Sequence, residues 1–169
     1  MGEIIEIFTD GSARGNPGPG GYGALLRCGA HSKELSAGYL NTTNNRMELL
    51  GVIVALEALK KPHLKVLVTS DSKYVTEAVS KGWVFKWEQK SWAKRPNSDL
   101  WRRFLQIYRQ HDVTFRWIKG HAGFPENERC DALATAAADA AAANPAHALK
   151  DEGYQGALND QSDLFKENE

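Results

Sequence analysis

The pattern of apolar and polar positions divides the start of the chain into three predicted strands. Residues 3–9 are rich in Ile and Phe and predict a strand that ends at Asp10 and Gly11. Two further strands are predicted near 22–28 and 33–40. We expect these two strands to pair with the first as a meander.

The rest of the chain alternates between predicted helices and strands. A helix is expected to begin at Thr43 and Asn44 and to end at Pro62, because apolar residues recur at helical spacing between them. The later elements are a strand at 66–69, a helix from 71, a helix over 99–110, a strand at 113–118 and a helix from 125 to 143. This order predicts an α/β fold with a mixed β-sheet and helices on both of its faces.

Composition predicts one packed domain with a polar tail. Hydrophobic residues make up 42% of the chain, which is enough to build a core. The domain is expected to span 1–150, and 151–169 are expected to form an acidic, flexible C-terminal tail. No apolar run approaches the ~18 residues of a membrane-spanning helix. The start of the chain has no signal-peptide pattern, so we expect a cytoplasmic protein. We also expect a monomer that does not associate with membranes.

The chain is neutral as a whole but divided in its charge. Its 21 Lys and Arg residues balance 21 Asp and Glu residues, which alone disfavours a general nucleic-acid binder. However, residues 81–119 carry 10 basic and 3 acidic side chains, whereas residues 120–169 carry 3 basic and 10 acidic ones. Residues 81–119 therefore predict a positively charged region, although the net charge of the whole chain is zero.

Four acidic residues lie where predicted strands end or helices begin: Asp10, Glu48, Asp71 and Asp131. Three of them also have purely structural interpretations. Asp10 could belong to a turn, Asp71 could cap a helix, and Asp131 could be a favourable charge early in a helix. Glu48 is harder to explain in this way, because it shares a helical face with apolar residues that should pack on the sheet. A carboxylate in that place needs a partner or a metal ion.

Four carboxylates gathered at one place would repel each other strongly unless cations neutralise them. Oxygen ligands without His or Cys suit Mg²⁺, with Mn²⁺ as an alternative. Two such ions would favour an in-line displacement at phosphorus. His121 lies between glycines shortly before Asp131 and could carry a proton at such a site, although an isolated loop histidine is usually a surface residue.

Five sequence blocks, in this order, resemble the motifs of bacterial type 1 ribonuclease H. They are Phe8-Thr9-Asp10-Gly11-Ser12, Gly15-Asn16-Pro17-Gly18-Pro19-Gly20-Gly21-Tyr22-Gly23, Thr42-Thr43-Asn44-Asn45-Arg46-Met47-Glu48-Leu49, Thr69-Ser70-Asp71-Ser72, and Gly120-His121-Ala122-Gly123 followed by Glu126-Asn127-Glu128-Arg129-Cys130-Asp131. The resemblance covers about residues 3–155. Because the blocks occur together and in order, it is far more specific than any one motif.

The resemblance implies a ribonuclease H-like fold with a five-stranded mixed β-sheet flanked by α-helices. It also implies hydrolysis of the RNA strand of RNA–DNA hybrids, leaving 5′-phosphate and 3′-hydroxyl ends, with two Mg²⁺ ions as cofactors. Carried over by position, the four acids become metal ligands and His121 assists proton transfer. The alternatives are a module that binds hybrids without cleaving them, and another nuclease or strand transferase on the same fold.

The resemblance also implies contacts to the hybrid. Short polar side chains would contact sugars and phosphates, and a segment rich in Trp and Lys would bind the DNA strand. The candidates are Asn16, Thr43, Asn44, Asn45 and Arg46, and then Trp83, Lys86, Trp87 and Lys90. Thr43 or Asn44 could instead cap a helix, and the Trp-rich segment could be a packed protrusion. That segment is shorter and less basic than in the richest family versions, and Lys73 stands where a neutral amide is expected.

The tail contains a second candidate binding element. Gln161-Ser162-Asp163-Leu164-Phe165 resembles the peptide by which bacterial replication and repair proteins dock on the sliding clamp. Gln161, Leu164 and Phe165 would make the contacts, because an exposed Leu-Phe pair suits a hydrophobic groove. The alternatives are a chance match and a terminus that packs on its own domain.

Overall fold

One five-stranded sheet organises the computed structural model, which describes residues 4–120 and 123–154. The strands are β1 (Ile5–Ala13), β2 (Gly18–Cys28), β3 (His31–Thr42), β4 (Lys65–Ser70) and β5 (Asp112–Trp117). Their order across the sheet is β3-β2-β1-β4-β5. The pairs β1–β2 and β2–β3 are antiparallel, whereas β1–β4 and β4–β5 are parallel. The predicted mixed sheet with an antiparallel first half is thus confirmed.

Five α-helices accompany the sheet in the described ranges. They are α1 (Asn44–Glu57), α2 (Lys73–Ser80), α3 (Trp83–Gln89), α4 (Ser98–Tyr108) and α5 (Pro125–Ala143), with a short 3₁₀ turn at Pro145–His147. Among the residues placed by the structure, no helix combines the length and apolar character needed to cross a bilayer.

The expected end of the first strand at Asp10 was wrong. β1 continues to Ala13 because the small residues of β2 pair with it, with Ser12 opposite Gly21 and Ala13 opposite Gly20. The glycine-rich stretch therefore supplies strand residues as well as a loop. As a result, Asp10 lies inside a strand, where it pairs with Gly23 of β2.

Glycines allow α5 to lie directly on the sheet. A Cβ atom on Gly21 would come within 2.7 Å of the Ala137 Cβ, and one on Gly23 within 2.6 Å of the Leu133 Cβ. The next residue along β2 from Gly21, Tyr22, points to the other face, where its Cβ neighbours α1 at Gly51. The two helices thus cover opposite faces of the sheet, as the sequence predicted.

The residues after α5 return to the body of the protein. Leu149 forms a backbone bridge with Tyr39 of β3. Asp151 is bonded through both carboxylate oxygens to Arg46 near the start of α1, at 2.6 and 2.8 Å. The domain boundary expected at residue 150 is therefore too early, because residues 151–154 belong to the folded unit. Residues 155–169, which include the rest of the expected tail, lie outside the described residues.

Candidate active site

Three carboxylates meet at the point where β1, β4 and α1 converge. One oxygen from each of Asp10, Glu48 and Asp71 lies within 4.8 Å of the others. Strand pairing explains the approach of the two aspartates, because Phe8 pairs with Thr69 and each aspartate lies two residues further along its strand direction. The sequence had predicted this convergence from acids placed where strands end and helices begin.

Glu48 reaches the cluster because α1 approaches β1 unusually closely. A Cβ atom on Gly11 would lie 2.6 Å from the carbonyl carbon of Met47, so only glycine leaves room for the first turn of the helix. Thr43 caps α1 by accepting a hydrogen bond from the Arg46 N–H at 3.2 Å. The capped first turn therefore presents Glu48 to Asp10.

A small cavity beside the cluster brings in the fourth acid. It has a volume of about 30 Å³ and is walled by Asp10, Asp71 and Asp131 together with Asn127 and Glu128. Ile118 and Phe124 complete the wall. Asp131 is not among the three carboxylates within 4.8 Å of one another, but it interacts with Asp10 through its side chain and its charge.

Burial and mutual repulsion disfavour the charged forms of these acids. Burial, followed by the Asp71 charge, raises the pKa of Asp10 from 3.8 to about 7. Burial, followed by the charges of Asp10 and Asp71, raises the pKa of Glu48 well above its ordinary value. The Glu48 Oε1 atom is buried without a hydrogen-bond partner among the described residues. A divalent cation would remove both penalties, and an all-oxygen donor set suits a hard ion.

Two residues predicted to contact nucleic acid are buried in the structure. The Arg46 side chain is only 2% exposed. Its guanidinium bonds Asp99, Asp151 and Asn97, which leaves no accessible surface for a phosphate. Thr43 is also fully buried, and its hydroxyl caps α1. Both residues therefore support the first turn of α1 rather than contact a ligand.

The aromatic residues of α3 pack inward. Trp87 is buried, stands edge-on to Trp101 with ring centroids 5.7 Å apart, and carries the Arg95 guanidinium over its other side at 4.4 Å. Trp83 is half-buried against the same core. The packed-protrusion interpretation is therefore correct for Trp87, which is removed from the candidate contacts. Lys86 and Lys90 are exposed and remain candidates.

The asparagines line up between the glycine-rich loop and α1. Asn16 and Asn44 are exposed, and the Asn16 Oδ1 atom accepts a hydrogen bond from the Asn44 backbone N–H at 3.0 Å. Asn45 is half-buried one residue further on. Lys73 is the first residue of α2 and follows Asp71 by two positions. Its ammonium group lies 5.0 Å from the centroid of the Trp117 ring. These positions leave the predicted sugar and phosphate contacts sterically available.

Some predicted residues lie outside the described residues: His121, Gln161, Leu164 and Phe165. Conversely, sequence reasoning assigned no role to Asn127, which the fold brings to the cavity wall. The signal was its position four residues before Asp131, which puts both on one face of α5. Its significance depends on burial that the sequence does not reveal.

Comparisons with known proteins agree with this geometry. The family model for RNase H matches residues 2–139. Ribonuclease H from Escherichia coli O127:H6 is 54% identical over 156 residues, covering 89% of this chain and 96% of the relative. Family members depend on metal ions, and the acidic cluster suits that requirement.

Solved structures extend the comparison. LC9-RNase H1, described as a type 1 RNase H with the type 2 active-site motif, is 32% identical with a TM-score of 0.73, covering 83% of this chain and 74% of that one. LC11-RNase H1, solved in complex with an RNA/DNA hybrid, is 29% identical with a TM-score of 0.64, covering 82% of this chain and 99% of that one. The chain therefore belongs to the ribonuclease H family, the endonucleases that cleave RNA within RNA–DNA hybrids.

Proposed function

We propose that Asp10, Glu48, Asp71 and Asp131 hold two divalent cations, with Mg²⁺ as the natural ion and Mn²⁺ as a substitute, for hydrolysis of the RNA strand. The carboxylate cluster with its raised Asp10 and Glu48 pKa values is the observation that carries this proposal. An RNA–DNA hybrid as the substrate is supported by the hybrid-bound structure of the similar LC11-RNase H1.

The side chains divide the work by position. Bound Mg²⁺ would lower the pKa of a coordinated water and neutralise charge that develops at phosphorus. Asp10 lies between Glu48 and Asp131 and would hold both ions in place. His121 would transfer a proton, because an imidazole can titrate near neutral pH. Hydrolysis then leaves a 5′-phosphate and a 3′-hydroxyl end.

The alternative function, binding of hybrids without cleavage, is disfavoured by the site itself. A module that only binds gains nothing from burying carboxylates that repel each other, because their burial costs stability. Bound cations would account for the acidic cluster, because they would neutralise its charges.

A gel assay on end-labelled substrates tests the proposed function. We expect cleavage of the RNA strand in an RNA–DNA hybrid with Mg²⁺, and no cleavage of RNA–RNA or DNA–DNA duplexes. Removal of the metal by a chelator should abolish the reaction. Binding of the hybrid with no cleavage in either metal would favour the alternative function, and cleavage in excess chelator would contradict the metal role.

The exposed lysines of the α3 segment should contact phosphates of the hybrid. Replacing Lys86 and Lys90 together by Gln is expected to raise the KM for the hybrid and leave kcat nearly unchanged. Each lost phosphate contact should lower the slope of log affinity against log salt by about 1. The slope is measured by fluorescence anisotropy with a labelled hybrid over a salt series.

The matched control is the double replacement of Lys60 and Lys61 by Gln. These exposed lysines follow the C-terminal end of α1, whereas the acidic cluster lies at its first turn. The ~1.5 Å rise per residue of a helix places them well away from the cluster. An equal loss of affinity and salt slope in both double variants would show that the α3 segment has no specific role.

We also propose that Gln161, Leu164 and Phe165 bind the bacterial sliding clamp. The support is the acidic Gln-Ser-Asp-Leu-Phe sequence and the gain in local concentration that tethering at DNA provides. Full-length protein should be retained on immobilised clamp, and Leu164→Ala with Phe165→Ala should lose retention. Equal retention of both proteins would disprove the interaction. The control Lys166→Ala lies outside the three contact positions and should bind normally.

A further inference from the structure

Asn127 carries a buried oxygen that nothing in the described structure satisfies. The residue is 6% exposed, and its Oδ1 atom has no hydrogen-bond partner. Leaving a buried polar atom unpaired costs stability, so such atoms usually serve a purpose. The unpaired Oδ1 therefore points to a group that binds beside it.

The surroundings of Asn127 define that group. The cavity it walls has a volume of about 30 Å³, and a water molecule needs ~10–15 Å³ of this kind of volume. The other polar walls are carboxylates, including Asp10 and Asp131, which accept hydrogen bonds when charged. When the carboxylates are charged, they and the amide oxygen can be satisfied together by a hydrated cation, whose bound water donates to the amide oxygen.

We propose that Asn127 is a positioning residue that accepts a hydrogen bond from a water molecule bound to the cation between Asp10 and Asp131. The inference rests on the proposed metal-dependent function and adds a neutral residue to its four acids. The geometry follows from α5, because Asn127 precedes Asp131 by one helical turn and both face the cavity. The amide orients the hydrated ion without adding charge to an already repulsive cluster.

A purely structural role does not account for this side chain. Asn127 lies in the first turn of α5, where an amide side chain could hydrogen-bond free backbone N–H groups. No such bond to Oδ1 is present in the described residues, and the preceding Phe124 provides no side-chain cap. The oxygen is therefore available to a ligand in the cavity.

Calorimetric titration of Mg²⁺ into the full chain without nucleic acid tests the proposal. Asn127→Leu, which keeps the branch at Cγ and the number of side-chain heavy atoms but removes the polar atoms, should weaken Mg²⁺ affinity by ~10-fold, as expected for loss of an outer-shell partner. Asn127→Asp keeps an oxygen at the same place and should recover most of that affinity. In cleavage assays, Asn127→Leu should lower kcat and leave the KM for the hybrid unchanged.

Thermal unfolding in a chelator separates positioning from structural support. Without metal, Asn127→Leu should match or exceed the stability of the parent protein, because it removes an unsatisfied buried oxygen. Thr135→Val, one turn beyond Asp131 on α5, is the control and should leave Mg²⁺ affinity unchanged. Unaltered Mg²⁺ affinity in Asn127→Leu, or a large loss of metal-free stability, would overturn the proposal. Failure of the parent protein itself to bind Mg²⁺ would instead overturn the proposed function.

Discussion

Asp10→Asn is expected to lower hybrid cleavage by about three orders of magnitude and to raise the metal-free stability of the protein at neutral pH. The loss of activity follows because Asp10 interacts with Glu48, Asp71 and Asp131 and so connects the cluster. Charge stabilisation by a bound metal ion lowers the activation free energy by several kcal/mol. Every ~1.4 kcal/mol corresponds to a factor of ten in rate. Binding of the hybrid should persist, because Asp10 is not among the residues predicted to contact its sugars and phosphates.

The gain in stability follows from the sign of the pKa shift. Folded Asp10 keeps its proton up to a pKa of about 7, whereas the unfolded chain releases it near 3.8. Between these pH values the folded state binds more protons, so the free energy of unfolding falls as pH rises. The amide cannot ionise and removes repulsion with Asp71. An increase of about 5 °C in melting temperature at pH 7.5 is the expected size, since ~1 kcal/mol corresponds to ~2–4 °C.

Melting curves in a chelator at pH 5 and pH 7.5 provide the check. The difference between Asp10→Asn and the parent protein should be larger at the higher pH and should shrink when Mg²⁺ is added, because metal binding stabilises only the parent site. Asp139→Asn alters an exposed acid that pairs with Arg14 and should leave cleavage unchanged. Retained cleavage in Asp10→Asn would disprove the metal role of Asp10.

Arg46→Met is expected to destabilise the protein by about 3–5 kcal/mol without changing the KM of the folded enzyme. The guanidinium is buried and bonds two carboxylates, and removal of one partner from a buried ion pair leaves an uncompensated charge. The Asp151 side chain is only 6% exposed, so water cannot replace Arg46 as its partner. Urea denaturation at constant pH measures the loss.

Two comparison variants make the Arg46 result specific. Asp99→Asn should cost ~1 kcal/mol or less, because the Asp99 side chain is 42% exposed and water replaces the lost partner. Combining Arg46→Met with Asp151→Leu should recover much of the stability, because an apolar pair can replace a buried ion pair. A raised KM with unchanged stability in Arg46→Met would restore the original prediction of a nucleic-acid contact.

The fold was predictable because its elements follow local rules. Period-two and helical patterns identified the meander, the later strands and most helices, and their order implied a mixed sheet. The end of β1 was misjudged because Gly20 and Gly21 act as turn residues in isolation but as pairing partners opposite Ser12 and Ala13. Long-range pairing decided that question, and no local window contains it.

The site was predictable in its acids and less so in its supporting residues. Glu48 stood out because a carboxylate on an apolar helix face needs a reason. The family resemblance proposed Arg46 and Trp87 as contacts to the hybrid, but Asp151 and Trp101, from distant parts of the chain, pack against them and bury them. Asn127 differs from an ordinary helix-start amide only through the cavity that Asp10 and Asp131 form with it. Each of these assignments required the tertiary structure.

The ion pair between Arg46 and Asp151 also has a consequence for biosynthesis. The two residues are separated by 105 positions, so the ribosome makes the cation long before its most buried partner. Until residue 151 has left the ribosome, a folded nascent chain would bury the Arg46 guanidinium without Asp151 as its partner. The domain can therefore complete its fold only after residue 151 has left the ribosome, and a protease that removes the segment from 151 to 154 would undo this step while leaving the four acids in the chain.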